Sequence, residues 1–283
     1  MNHIPEYITE IIISIIVMSS LFIFHKFWAK TAKTYWVRIV ILIWMLAVQI
    51  WFYIDKDIFN PNADKFMYFE LCNMVAWTSI ILMIFPTKIQ VDALLPLAII
   101  GPTLTILIPL NKGFTFAEWE YYQFYFGHLG TLFGYFYIYL YGYTNSKLSW
   151  VSIKRSMCYA FIFLTFVMVW NMAYSRHNPL EPAPSGQGNL WWGPNYIYGL
   201  ILFNIGLGSL SLLNQYFMMI LVLGPAMMLI AYTILYFVRP LYAHCGTEKL
   251  KFNIHDDILG LKAFFTKENV KHKWLRIINK IKA

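Results

Sequence analysis

Seven stretches of about 20 predominantly apolar residues run through this chain, and they restrict its fold more than any other feature. They lie near Tyr7–Phe24, Tyr35–Ile54, Met67–Phe85, Leu94–Leu110, Tyr121–Tyr143, Ser156–Tyr174 and Gln215–Val238. Each is long enough to cross the hydrocarbon of a bilayer. No water is available there to backbone N–H and C=O groups, so each stretch must satisfy its own as a helix. The runs are continuous rather than alternating, which excludes a barrel of tilted strands. The expected fold class is therefore all-α: a polytopic transmembrane helical bundle of seven spans. Composition agrees, with 59% of the 283 residues hydrophobic and only 13% charged. Soluble domains carry about 25% charged residues, and intrinsic disorder is excluded by the same balance. Aromatic residues gather at the ends of the stretches, as interfacial belts do. No basic leader or small-residue cleavage site accompanies the first stretch, which reads as an uncleaved span.

Loop charges orient the spans, because basic residues are retained on the cytoplasmic side. Lys26, Lys30, Lys33 and Arg38 follow the first stretch, Lys88 the third, and Lys147, Lys154 and Arg155 the fifth. The alternate loops are poorer or balanced, with Asp55, Lys56, Asp57, Asp64 and Lys65, then Lys112, Glu118 and Glu120, then Arg176 and Glu181. The expected topology has the N-terminus outside and the C-terminus in the cytoplasm. One segment complicates the count: Tyr196–Leu213 is also apolar. Spanning there would carry the basic tail outside, so it reads as a re-entrant or interfacial segment on the outer face. Its Gly206, Gly208 and Ser209 weaken a long helix. Before it, His177–Gly193 is rich in Pro and Gly and reads as an outer loop, anchored at headgroup level by Trp191 and Trp192.

Two units result: a transmembrane helical domain over residues 1–240 and a basic cytoplasmic tail over 241–283. From Arg239 onward there are 10 Lys/Arg against 4 Asp/Glu, which is +6 of the net +8. Val270, Trp274, Ile277, Ile278 and Ile281 share one helical face, with lysines and Arg276 opposite. That is the pattern of an amphipathic helix lying on the anionic inner leaflet. Membrane lipids are the expected partners. No nucleic-acid-binding signature accompanies the positive charge. Cys72, Cys158 and Cys245 show no paired spacing, and no Cys/His cluster suggests a metal, so neither metal nor cofactor is expected.

An ionisable or strongly polar side chain inside a span is expensive and marks a bundle interior or cavity. The candidates are Glu10 in the first span, Glu70 with Cys72 and Asn73 in the third, Gln123 and His128 in the fifth, and Asn171 in the sixth. Glu10 and Asn171 stand near span ends and read as reaching water. Cys72 and His128 differ from these. Both spans run from outside to inside, and both residues fall roughly 8–10 Å below the outer boundary at 1.5 Å per residue. Glu70 and Asn73 share a face beside Cys72. Gly127, Gly130 and Gly134 line one face of the fifth span and permit close helix approach. A cysteine attacks as thiolate, and a neighbouring imidazole takes its proton. A carboxylate can orient that imidazole, as in hydrolase triads. Cys72, His128 and Glu70 are thus candidate catalytic residues. The residue types alone equally fit a packing cysteine and a histidine bonding helix to helix.

At these positions the chain resembles the YwaF-type family of bacterial seven-span membrane proteins. The third span reads FELCNM, similar to the family's cysteine patch at Cys72. The fifth reads YYQFYFGH, similar to a Gln followed five residues later by His, which fall on Gln123 and His128. WWGPNYIYG is similar to a Gly-x-Asn-Tyr element, which falls on Gly193, Asn195 and Tyr196. The resemblance covers roughly Met67 to Val238. Glu70 stands where the family pattern has histidine, and His177–Gly193 looks like an insertion. The family looks distantly related to a eukaryotic membrane acyltransferase acting on ether phospholipids through a cysteine acyl-enzyme and a histidine. The resemblance implies a bacterial plasma-membrane protein in which Cys72 accepts an acyl chain and His128 is the general base. Asn73, Gln123, Asn195 and Tyr196 are then the expected substrate-binding residues.

Two other function classes fit the residues. One is a small-solute carrier or channel, with Pro96, Pro102 and Pro109 breaking the fourth span into a transport site. The other is a non-catalytic membrane factor that holds a partner through the basic tail.

Overall fold

The computed structural model describes residues 4–54, 71–107, 115–146, 150–177, 217–237 and 240–243, together with residue 214 and, in the tail, 251–252, 262, 266, 271–272 and 274–275. The described part is a helical bundle. Its helices are α1 (Ile4–Ile23), α2 (His25–Thr31), α3 (Trp36–Ile54), α4 (Leu71–Ile84), α5 (Lys88–Leu107), α6 (Trp119–Leu140), α7 (Trp150–His177) and α8 (Gly224–Phe237). One π-helical turn, Met219–Leu223, leads into α8. Pro225, the second residue of α8, has no N–H to contribute to an α-helical ladder there. A two-residue antiparallel ladder pairs β1 (Tyr242–Ala243) with β2 (Lys251–Phe252). It was not foreseen, because two residues carry no legible alternation. The outer segment Tyr196–Leu213, the His177–Gly193 loop beyond its first residue, and Val270, Arg276, Ile277, Ile278 and Ile281 of the amphipathic pattern lie outside the described residues.

By length and composition, α1 and α5 are each able to cross a membrane. The pair α2 and α3, bent by 89° at its break, provides a third span if the two are taken together. The apolar helices Cys72–Ile84 and Ile220–Leu235 are shorter. α2 itself was not anticipated as a separate helix. It carries Lys26 and Lys30, and Trp28 donates its indole N–H to the Ser20 carbonyl at 2.9 Å, tying α2 back to the end of α1.

Cross-helix contacts fix the directions. The Tyr121 and Tyr141 hydroxyls donate to the carbonyls of Glu6 and Leu21, at 2.9 and 2.5 Å. Their order along both helices makes α1 parallel to α6. Tyr7 at the start of α1 donates to the Leu107 carbonyl at the end of α5, so those two are antiparallel. Ser156 donates to Ala93 at 2.6 Å and Tyr232 to Asp92 at 3.1 Å. These contacts set α7 parallel and α8 antiparallel to α5. Successive long helices therefore alternate in direction, α2 being the bent entry to α3.

α6 is the central element, packing on α1, α3, α4 and α5. Tyr135, Tyr137, Tyr139 and Tyr141 are almost completely buried. Buried hydroxyls need partners, and each has one. Tyr135 meets Thr78 at 3.1 Å, Tyr137 meets Thr31 and Tyr143 at 3.0 Å each, and Tyr139 reaches the Leu235 carbonyl at 3.4 Å. The chain after α8 returns to the same place. Leu241 N–H donates to Leu140 at 2.5 Å, and Tyr242 stacks on Tyr141.

Pro96 and Pro102 lie within α5, which is continuous through both. The expected break at these two prolines is therefore corrected; Pro109 lies outside the described residues. The physical reason is visible at Pro96. A proline removes the N–H that would bond the carbonyl four residues earlier, here Asp92, and the Tyr232 hydroxyl supplies the missing donor. In the membrane such replacement partners let a helix tolerate proline. Tyr232→Phe should therefore cost about 1–2 kcal/mol, the typical penalty for leaving a buried carbonyl unpaired. In a Pro96→Ala background, which restores the N–H, the same change should cost well under half as much. Thermal unfolding of the four proteins in a double-mutant cycle reads the difference.

Candidate functional site

Three helices set the site's register. Cβ atoms built at Gly127, Gly130 and Gly134 on α6 would meet Val48, Met45 and Ile41 of α3, at 3.1, 2.8 and 3.5 Å. Residue numbers fall on one helix as they rise on the other, so α3 and α6 are antiparallel. The small-residue face admits α3 so closely that a methyl group at Gly130 would press on the Met45 sulfur and the Trp44 ring. Arg38, at the start of α3, donates to the Met83 and Ile84 carbonyls at the end of α4, so α3 is antiparallel to α4 as well. α4 and α6 consequently run parallel, side by side.

Their crossing is pinned at two points. Thr78 Oγ1 lies 3.1 Å from the Tyr135 hydroxyl. Ser79 Oγ lies 3.5 Å from where a Gly134 Cβ would stand. Cys72 is seven residues before Ser79, and His128 is six before Gly134. At 1.5 Å per residue these are about 10 and 9 Å toward the same end. Seven residues are close to two turns, so Cys72 shares Ser79's face and His128 shares Tyr135's. Both faces belong to the α4–α6 interface.

The environments of the two residues differ. Cys72 is half-buried and outside any disulfide; Cys158, likewise a reduced thiol, is exposed on α7. His128 is half-buried and its ring tilts against Phe124 at 4.7 Å. Its Nδ1 lies 2.5 Å from the Phe124 carbonyl oxygen. A carbonyl only accepts, so Nδ1 carries the proton and Nε2 is left as the basic nitrogen. This tautomer suits proton abstraction at Nε2. Asn73 and Gln123 are half-buried on α4 and α6. Glu70, Asn195 and Tyr196 lie outside the described residues. Among the described residues no group of three or more His, Cys, Asp or Glu is arranged to hold a metal ion.

Three polar features escaped the sequence reading. Glu10 does not reach water: it is 4% exposed, packed against α6, and this corrects its expected position. The signal was in α1 itself. Glu10, Ser14 and Leu21 are its buried residues, while Ile8, Ile12, Ile15 and Ile16 are exposed on the opposite face. The second feature is Arg38, read as a topogenic charge but buried under Tyr35 and Tyr143, each ring centroid 5.4 Å from the guanidinium carbon. The third is Asp92, which the Leu94 boundary left outside the span. α5 begins at Lys88, so Asp92 is in the helix, 1% exposed, with Arg155 Nη1 at 3.4 Å from Oδ2.

Residues 1–237 match the model of the TMEM164 family. No curated protein and no solved structure matches the chain.

Proposed function

The chain belongs to the TMEM164 family, a family of multi-pass membrane proteins, and on that premise we propose that it is a membrane enzyme that moves acyl chains between phospholipids. Cys72 is the nucleophile and His128 the general base. The reading is carried by one observation: the register of parallel neighbours α4 and α6 brings these two residues to one level on adjoining faces, with His128 in the Nε2-basic tautomer.

The reaction has two half-steps. His128 Nε2 takes the thiol proton and Cys72 Sγ attacks the ester carbonyl of a donor phospholipid. The carbon–oxygen bond breaks, the alkoxide leaving group takes the proton from His128, and the acyl chain stays on Sγ as a thioester. A lysophospholipid hydroxyl then yields its proton to His128 and attacks the thioester, and Cys72 leaves as the thiol. Glu70 orients the imidazole. Asn73, Gln123, Asn195 and Tyr196 bind the head group or donate to the oxyanion, where preorganised donors have most effect. Seven spans with the N-terminus outside place this chemistry just beneath the outer headgroups of a bacterial plasma membrane, and the basic tail of 241–283 holds the inner leaflet.

The test is capture of the intermediate. The protein in nanodiscs is mixed with a phospholipid carrying a labelled acyl chain and quenched in acid. A hydroxylamine-labile label on the Cys72 peptide is expected. Acyl transfer proceeding with no label at Cys72 contradicts the proposal.

A further inference from the structure

The axis of α2 turns 89° from that of α3, so with α3 along the membrane normal α2 lies in the membrane plane. One side of it faces the protein. Ala29, Thr31 and Ala32 are buried, Thr31 Oγ1 is 3.0 Å from the Tyr137 hydroxyl, and the Trp28 ring meets Phe133 edge-on. The other side is exposed. Lys26, Lys30 and Lys33 fall there at i, i+4 and i+7, with Lys33 in the turn that closes the helix. That spacing makes one stripe, about 10 Å long. Among the described residues none of the three has an ion-pair partner. Apolar surface adjoins the stripe: Phe27 is 51% exposed, and Ile23, at the end of α1, is 68% exposed. The helix directions bring Lys88 of α5 and Lys154 of α7, both exposed, to the same end of the bundle. Glu6, Glu10, Glu118 and Glu120 stand at the opposite end. Asp92, the one acidic side chain described at the lysine end, is buried against Arg155. Among the described residues the exposed charge of that end is therefore positive.

We infer that the exposed side of α2 docks anionic phospholipid headgroups, with Lys26, Lys30 and Lys33 against lipid phosphates and Phe27 among the acyl chains beneath. A helix in the membrane plane binds through this pairing of basic and large apolar side chains. The lysine stems run along apolar surface while the ammonium groups stay at phosphate level. A lipid with net negative charge is favoured over a zwitterionic one, because three like charges so close together repel until a counter-charge is supplied. A soluble polyanion would meet the ammonium groups but leave Phe27 and Ile23 in water, whereas a bilayer accommodates both. The inference is separate from Cys72 chemistry and from the basic tail.

The test reads which lipid lies beside α2. A fluorophore is attached at Ile23→Cys, just before the stripe, in a full-length protein whose three native cysteines are serine. Nanodiscs contain phosphatidylcholine and phosphatidylglycerol, with brominated acyl chains on one or the other as a short-range quencher. The ratio of the two quenching efficiencies gives the local preference. A preference of roughly tenfold or more for phosphatidylglycerol is expected, since each lysine at a membrane surface is worth about fivefold. Changing Lys26, Lys30 and Lys33 together to glutamine should bring the ratio close to one. Changing all three to arginine keeps the charge and should keep the preference. A fluorophore at Ile8→Cys, at the other end of α1, should show none. No preference at position 23 overturns the inference. A preference that survives the glutamine changes, is lost with arginine, or is equal at position 8 overturns it as well. Because Cys72 is serine throughout, the outcome is independent of the acyl-transfer proposal.

Discussion

Cys72→Ser should reduce acyl transfer by about three orders of magnitude while leaving the fold intact. Serine keeps the shape but not the chemistry. Its hydroxyl is far less ionised than a thiol at neutral pH, and an ester on serine is a poorer acyl donor than a thioester. The site is half-buried at the beginning of described α4, and an oxygen replaces a sulfur there without opening a sizeable cavity. Melting temperature should therefore move little. His128→Asn removes the basic nitrogen and should cost about 10²–10⁴-fold, the range for a positioned acid–base group. Cys158→Ser, on the exposed face of α7, should leave the rate unchanged. Initial rates of label transfer from a phospholipid to a lysophospholipid measure all three. Undiminished turnover in Cys72→Ser would remove the mechanism.

The largest stability effect should come from Arg38→Met. Arg38 is 7% exposed, and its guanidinium donates from Nε and Nη2 to the Met83 carbonyl at 2.9 and 2.5 Å, and from Nη2 to the Ile84 carbonyl at 2.8 Å. These carbonyls close α4, where a helix ends with unsatisfied acceptors and a partial negative charge. Methionine preserves most of the volume but leaves the acceptors unpaired, and hydrogen bonds to charged groups are the stronger kind. A loss of about 3 kcal/mol is expected, or roughly a 6–12 °C fall in melting temperature. Lysine in the same position keeps a charge but offers a point rather than a fork, so it should recover only part of the loss. Thermal unfolding in detergent separates the three proteins. An unchanged Arg38→Met melting temperature would show that these bonds contribute nothing net.

The sequence made the helices easy to see and their neighbours hard to see. Long apolar runs announce spans because hydrocarbon forces the backbone to bond within itself. α1 and α3 therefore stand within three residues of where the runs place them. α5 starts six residues early because Asp92 and Lys88 look like loop residues, until Arg155 is found beside the first. The prolines of α5 looked like breaks because the sequence cannot show that Tyr232, 140 residues away, stands ready to serve the freed carbonyl. The site was legible in the same uneven way. Cys72 and His128 stood out as polar types in apolar surroundings. Glu10 stood out equally and was read as wetted, since its distance from the span end was known and its facing helix was not. Only the pairing of α1 with α6 shows that the Glu10–Ser14 face turns inward. The tyrosines of the fifth stretch lowered its apparent apolarity, yet Tyr135, Tyr137, Tyr139 and Tyr141 are nearly fully buried, with their hydroxyls satisfied by other helices.

The central claim is that Cys72 and His128 face each other across α4 and α6, and cross-linking tests it most directly. His128→Cys is introduced with Cys158→Ser and Cys245→Ser, so that only the two positions carry thiols, and the protein is treated in nanodiscs with a short bifunctional maleimide. A control protein carries Ser79→Cys and Gly134→Cys with all three native cysteines replaced by serine, at the crossing where Ser79 Oγ lies 3.5 Å from the position a Gly134 Cβ would take. The account predicts an internal bridge in both proteins, seen as a mass increase of one linker with both thiols consumed. A bridge in the control with two separately capped thiols at positions 72 and 128 would contradict it.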